Sequence, residues 1–416
     1  VITVIGTGTG APLTPDAKEA LAGAAVVVGA RRHLEASGLP RTVERIVLGP
    51  LAPALDAIQE HLEKDEGRRI VVLASGDPGF FGIVRVLAER FGARGLDVRP
   101  GVSSVATAFA RVGLPWDDAV VVSAHGRDLR TALNVCRSQP KVAVLTGPGS
   151  GPAELGAGLR STGRVLVVAS ALGDPRRERV ERVTPAEAAG RGWDGAVSVV
   201  LCLDEERLVA PVRTVAGPAP RPVGWALGED AFAHRDSMIT KFEVRALALA
   251  RLGPRLGDLV WDIGAGSGSV AVECARLGAA AVAVEKTRDG VERIRSNATA
   301  HGVDVQVVHG AAPTVLSDLD DPDAVFVGGG GRELPAIVAA CARRARRTVV
   351  VALAALDRVP AVRDALTGAG FGCDGVLLQS SRLAPLPGDV SRLAATNPVF
   401  LLWGVRPPAR TEGVAH

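Results

Sequence analysis

The sequence predicts an α/β protein of two domains, and three observations carry that prediction. Short apolar runs alternate with amphipathic, helix-spaced stretches, the pattern of strands covered by helices. Each half has a glycine-rich turn after an early strand, at Gly6–Gly10 and at Gly264–Gly268. The alternation stops between Asp204 and Gly224, where Pro211, Pro218, Pro220 and Pro222 with Gly217 read as a stiff, exposed linker. The expected division is a first domain over 1–205, a linker over 206–224, a second domain over 225–405 and a frayed tail over 406–416.

In the first half, Val1–Ile5, Ala24–Val28 and Ile70–Ala74 read as buried strands. Leu96–Arg99, Ala119–Ser123, Val142–Leu145, Val165–Ala169 and Val197–Leu203 follow as further strands. Thr14 and Pro15 mark a helix start as N-cap and first helical residue, and Ala52–Lys64 is helical by the spacing of Leu55, Ile58 and Leu62. In the second half, Lys241–Leu252 is an amphipathic helix ahead of the strand Val260–Ile263. Ser269–Leu277 reads as the helix after the glycine turn, and Ala280–Val284 as the next strand. Val305–Val308, Ala324–Val327, Thr348–Leu353 and Val399–Trp403 complete the set.

Composition narrows the functional classes. An apolar content of 47% in 416 residues is ample for two full cores. The 48 basic residues nearly cancel the 45 acidic ones, so no global charge draws the chain to nucleic acid or membrane. Five cysteines are scattered without C-x-x-C spacing, which fits a reduced protein with neither a disulfide framework nor a metal site. No apolar run reaches the length of a membrane span and no basic leader precedes the first strand, so the expected location is cytoplasmic.

The glycine turn of the second half limits its ligand. Gly264, Gly266 and Gly268 let the backbone turn sharply from strand to helix and approach a ligand closely, with Ala265 and Ser267 between them. A dinucleotide fingerprint needs a glycine or alanine three residues beyond Gly266, where Ser269 stands. Asp262 ends the strand where a pyrophosphate would be repelled, and a carboxylate there attracts an ammonium group instead. About twenty residues on, Glu285 ends the next strand, the position at which an acid accepts hydrogen bonds from ribose hydroxyls. S-adenosylmethionine (SAM) carries an ammonium, a ribose and no phosphate, and these residues read as its site. The bland alternative is a ligand-free glycine turn.

The first half resembles the tetrapyrrole methylases through Gly6/Gly8/Gly10, Gly76-Asp77-Pro78 and Pro100–Ser104. Gly113-Leu114-Pro115-Trp116 and Ser123–Arg127 are similar to the branch acting on late cobalamin precursors. Thr9 and Ala11 replace the proline and aspartate of the commoner opening loop, G-x-G-P-G-D. The resemblance implies a two-lobed domain whose cleft binds SAM at Gly8, Gly76, Asp77, Phe80, Ser103, Ser104 and Thr146. The second half resembles the Rossmann-like class I methyltransferases of the same pathway through Arg235–Lys241 and Gly328–Gly331. That likeness adds Thr240, Ala311 and Ala312 to its SAM site; Ala311 stands where the family's turn carries an acid beside the adenine.

Together the resemblances imply one SAM site per domain, a corrin precursor methylated at carbons 5 and 15, loss of carbon dioxide from the acetate on carbon 12, and self-association. Residues 1–205 are expected to methylate carbon 5, and 225–405 to methylate carbon 15 and decarboxylate. A substrate ringed with carboxylates calls for cationic clamps. The candidates are Arg127 beside His125, and Arg235 and Lys241 near the second site, with Gly329 and Gly330 seating a flat macrocycle. His125 is equally open to reading as a core histidine. Arg343, Arg344, Arg346 and Arg347 read as a helix-end cluster that complements the dipole and faces water. Two competing readings remain: a two-domain NAD(P)-dependent oxidoreductase, and a SAM enzyme acting on nucleic acid. Ser269 and Asp262 weigh against the first, and the near-neutral charge against the second.

Overall fold

A computed structural model describes residues 1–10, 12–64, 67–193, 198–211, 214–218, 224–235 and 238–407. Ala11, Val197, much of the proline-rich stretch, Asp236, Ser237 and the tail from residue 408 lie outside the described residues. The chain forms two compact units, Val1–Leu129 with Pro140–Gly217, and Arg130–Gln139 with Pro218–His416.

The first unit holds two five-stranded sheets. One is parallel throughout, in the order Glu44–Val47, Val26–Gly29, Ile70–Ala74, Ile2–Gly6, Leu96–Arg99. The central strands are almost continuously apolar because helices cover both faces, and Ile2, Val4, Val26, Val28, Ile70 and Val72 are buried. Register sets Gly6 against Ala74 and Gly29 against Leu73, so the loops after these strands leave from one edge. The second sheet runs Val120–Ser123, Lys141–Leu145, Ser198–Leu203, Val165–Ser170, Arg179–Val183. Its first pair is parallel and the rest are antiparallel. Helix Ser104–Val112 packs Val105 and Phe109 against Val167 and Leu201 of this sheet. Thr14 sits at the N-cap of helix Pro15–Ala22 as expected, but its side chain makes no capping bond. The amide of Gly217 donates to Asp117 O at 2.7 Å, so this unit continues past the expected end at 205.

The second unit has a seven-stranded sheet in the order Val305–His309, Ala280–Glu285, Leu259–Ile263, Ala324–Val327, Thr348–Leu353, Val399–Val405, Gly372–Leu378. Val399–Val405 alone runs opposite to the other six strands. The strand order reverses at Leu259–Ile263, and ligands of open α/β sheets bind beyond the carboxyl ends of strands at such a switch point. Within this unit the Arg130 guanidinium holds Asp323 through two bonds of 2.6 and 2.7 Å, and Asp323 in turn accepts from Leu259 N.

A hairpin, Ser381–Leu386 with Val390–Ala395, lies outside the strands read from the sequence, and it carries Pro385 next to the end of its first strand. Arg382 fastens it to Glu229 at 2.8 Å and Glu243 at 2.7 Å. Burial opposes ionisation of Glu229, but the bonds from Arg382 and Phe242 N outweigh it and lower its pKa to about 2.

Candidate functional site

In the first unit, four glycines make one knot of backbone. The amides and carbonyls of Gly8 and Gly76 pair at 3.0 and 3.2 Å. A Cβ on Gly101 would lie 2.5 Å from Gly76 O, 2.7 Å from Gly8 N and 2.8 Å from Gly6 O, and one on Gly6 would lie 2.5 Å from Gly101 N. Only glycine permits that approach, and it brings three loops together at the sheet edge. Asp77 Oδ1 accepts from Gly79 N at 2.8 Å, closing the turn of the middle loop. Ser103 caps its helix by accepting from Ala106 N at 3.1 Å.

These loops line a cleft of about 1800 Å³. Gly8, Gly76, Asp77, Phe80, Ser103, Ser104 and Thr146 all line it, as do His125 and Arg127. His125 is exposed, which excludes the core reading, and packs over Gly147. Phe80 is 37% exposed and meets Phe81 edge to face at 5.1 Å, offering an apolar wall to a flat ligand. Sequence reasoning missed Arg32, His33 and Ser75 on the same cleft. The Arg-Arg-His run just beyond strand Val26–Gly29 was the available signal.

In the second unit one acid holds the glycine turn and the other holds the helix that follows it. Glu285 Oε2 accepts from Gly266 N at 3.0 Å, while Oε1 accepts from Thr287 N and Thr287 Oγ1, each at 2.8 Å. Asp262 is 2% exposed, and its Oδ2 accepts from Ala271 N at 3.0 Å. Gly268 stands at the N-cap of helix Ser269–Arg276 without a side chain to offer, so Asp262 does the capping from the strand below. Burial pushes the Asp262 carboxyl up to about 7; the Ala271 bond opposes this and the charge of Glu285 adds to it.

Gly264, Gly266 and Gly268 all have positive φ, at 71°, 57° and 72°. A Cβ on Gly264 would touch the backbone of Gly329 at 3.4–3.5 Å, so the two glycine loops face each other. Around Gly266 nothing lies within 4 Å of that position. Gly330 needs its glycine for packing, since a Cβ would meet Leu334 Cα at 2.9 Å. Ala311 is exposed and Ala312 half-buried, after Gly310, whose amide donates to Glu285 O at 2.9 Å. An open cradle of backbone with two carboxylates beneath it fits a ligand that carries an ammonium and a ribose.

The segment before this motif is tied down by groups that the sequence did not single out. Arg245 and Glu273 are both wholly buried and paired at 3.3 Å. Arg245 donates to the carbonyls of Thr240 and Leu227, and Glu273 accepts from Leu227 N at 2.7 Å. Asn297 bonds Ala233 N and O and donates to Ser267 O at 2.8 Å, linking that segment to the glycine turn. Thr240 is thereby fixed beside Lys241, the half-buried N-cap of helix Phe242–Leu252, while Arg235 is exposed. Within the arginine cluster, Arg343 and Arg346 are exposed as expected. Arg344 instead lies over the Trp261 ring and bonds Asp321, and Arg347 bonds Asp258 at 2.8 Å.

Two families match. The tetrapyrrole (corrin/porphyrin) methylases match residues 1–189, and a precorrin methyltransferase domain matches residues 230–401. The chain is 38% identical over 341 residues to a precorrin-6Y C(5,15)-methyltransferase (decarboxylating) from a Sinorhizobium species, covering 80% of this chain and 79% of that protein. It is 32% identical to a cobalt-precorrin-7 C(5)-methyltransferase of Salmonella typhimurium, over 49% of this chain and 100% of that one. A probable cobalt-precorrin-6B C(15)-methyltransferase (decarboxylating) of Pyrobaculum calidifontis is 36% identical, over 39% of this chain and 87% of its own.

Proposed function

Because the chain belongs to the family of precorrin-6Y C(5,15)-methyltransferases (decarboxylating), we propose that it methylates carbons 5 and 15 of a precorrin-6Y-type macrocycle and releases the carbon-12 acetate carboxyl as carbon dioxide. It is a SAM-dependent C-methyltransferase. The proposal assigns carbon 5 to the first unit, and carbon 15 with decarboxylation to the second. The observation that carries it is the presence of two separate glycine cradles, the Gly6–Gly8–Gly76–Gly101 knot and the Gly264–Gly268 turn, each with its own acid.

The chemistry asks chiefly for positioning. Enamine-like carbons of the macrocycle are the nucleophiles and the sulfonium is an activated donor, so the protein must align carbon and methyl in line. Arg127 in the first cleft and Arg235 and Lys241 near the second are assigned to the substrate's carboxylates. Decarboxylation sends an electron pair into the conjugated ring, which a water-poor seat against Gly329 and Gly330 would favour. With methyl-labelled SAM, the product should carry two labelled methyls and lack one carboxyl by mass spectrometry. A singly labelled product, or tight NAD(P)H binding without SAM binding, would refute the reading.

In the second cradle the roles of the two acids can be separated. Glu285→Ala should weaken SAM binding there well over tenfold, since a charged hydrogen bond contributes about 1.5–3 kcal/mol. Affinity within a factor of two of wild type would end the ribose assignment. Asp262 has a free-state pKa raised from 3.8 to about 7, so it must lose a proton to receive an ammonium. Affinity is therefore expected to rise about tenfold per pH unit up to about pH 7 and then level off. Asp262→Asn should flatten that slope in calorimetry, and an unchanged slope would show that another group is responsible.

A further inference from the structure

We propose that Ser75 and His33 form the proton-accepting relay of the first cleft, taking up the proton that the macrocycle loses when carbon 5 is methylated. The inference rests on the reading of the first unit as a methyl-transfer site.

The two residues meet because of strand register. Gly29 and Leu73 are neighbours on adjacent parallel strands, so the helix Arg31–Ala36 and the residue after Ala74 leave the sheet side by side. His33 Nε2 lies 2.8 Å from Ser75 Oγ, and Arg32 Nη2 donates to the same oxygen at 2.8 Å. Ser75 immediately precedes Gly76 of the glycine knot, and all three residues line the cleft.

A serine hydroxyl has one proton and two lone pairs. Arg32 occupies one lone pair, and the proton goes to Nε2 when the ring carries its own proton on Nδ1. The second lone pair is left for a proton from the substrate. In the reaction a carbon–carbon bond forms as the carbon–sulfur bond breaks, and the sulfonium departs as a neutral thioether. The macrocycle is left with one positive charge, which the loss of a ring N–H proton discharges. That proton passes to Ser75 Oγ while the hydroxyl proton passes to His33 Nε2, and the imidazolium later yields it to water. Arg32 opposes lasting protonation of the ring and so resets the relay.

The surroundings suit a neutral acceptor. Burial, and then the charge of Arg32, lower the pKa of His33 below 6.5. The other charged or titratable groups lining the cleft are Lys18, Asp77, His125, Arg127, Asp174 and Arg177. Of the three strands packed against this helix, only Glu44–Val47 carries charged side chains: Glu44 is engaged by His61 and Arg68, and Arg45 by the Leu39 carbonyl.

The test uses the full chain with precorrin-6Y and methyl-labelled SAM, following carbon-5 and carbon-15 methylation separately in single turnovers between about pH 5 and about pH 8.5. Wild type should show an acid limb for carbon 5 with an apparent pKa below about 6.5. Arg32→Gln should move that limb upward. His33→Gln should slow the step about 10²–10³-fold and abolish the limb, with partial rescue by added imidazole. Ser75→Ala should cause a comparable loss. Both variants should bind SAM within about twofold of wild type by calorimetry and keep their carbon-15 rate. An unchanged profile in His33→Gln, or SAM affinity falling in step with the rate, would overturn the relay. Wild type that never methylates carbon 5 would instead overturn the underlying reading of the first unit.

Discussion

Gly266→Val should abolish SAM binding in the second unit and leave one binding site per chain. Gly266 has a φ of +57°, which a β-branched residue adopts only at a cost of about 1–2 kcal/mol. Its amide is the group that Glu285 Oε2 grips at 3.0 Å, so a shift of this backbone also releases the acid. The new side chain would meet no protein atom near its Cβ and would fill the open space of the cradle. The fold should survive, because the buried cluster around Leu259, Trp261 and Ile263 is untouched. Two costs act together, strain on the turn and steric exclusion of the ligand, so affinity should fall by more than about a hundredfold. Calorimetry should count one remaining site, and the product should carry one methyl, on carbon 5, with its carboxyl retained. Two remaining sites, or none, would contradict independent cradles.

The parts of this site that could be read in the sequence share one property: their chemistry is local. Strand, turn and helix at Val260–Leu277 sit within a short stretch, and Glu285 follows at the end of the next strand. Of the seven residues that the family likeness assigned to the first cleft, Gly8, Gly76, Asp77, Ser103 and Ser104 stand in short motifs, and all seven line one cavity. What escaped notice depends on partners far apart in the chain. His33 and Ser75 are separated by 42 positions and meet only through the pairing of two parallel strands. Asn297 reaches back 64 positions to Ala233. The wholly buried Arg245 stands in an unremarkable amphipathic helix, and its role appears only with Glu273 opposite. Asp262 was read only as a ligand contact, and its bond from Ala271 N adds a helix-capping duty that the sequence did not signal.

Gly101→Ala is expected to do to the first unit what Gly266→Val does to the second, by a different physical route. Gly101 owes its identity to crowding: the added Cβ would lie 2.5–2.8 Å from three backbone atoms of Gly76, Gly8 and Gly6. Backbone cannot swing aside as a long side chain can, so the three loops must part. Overpacking of this kind typically costs about 1–3 kcal/mol, which lowers stability modestly but displaces Gly8, Gly76 and Ser103 together. Because an ångström of misplacement can cost about a hundredfold in a positioning-limited reaction, carbon-5 methylation should fall by at least that much. The second unit has its own core and cradle, so carbon-15 methylation and loss of carbon dioxide should persist. Mass spectrometry should then find one methyl, on carbon 15, and one carboxyl fewer. Gly163→Ala is the control, since nothing lies within 4 Å of its Cβ, and it should behave as wild type. Wild-type methylation of carbon 5 in Gly101→Ala would remove this loop knot from the mechanism. Loss of both methylations in a folded variant would show that the second site acts only on the product of the first, and independent division of labour would fail.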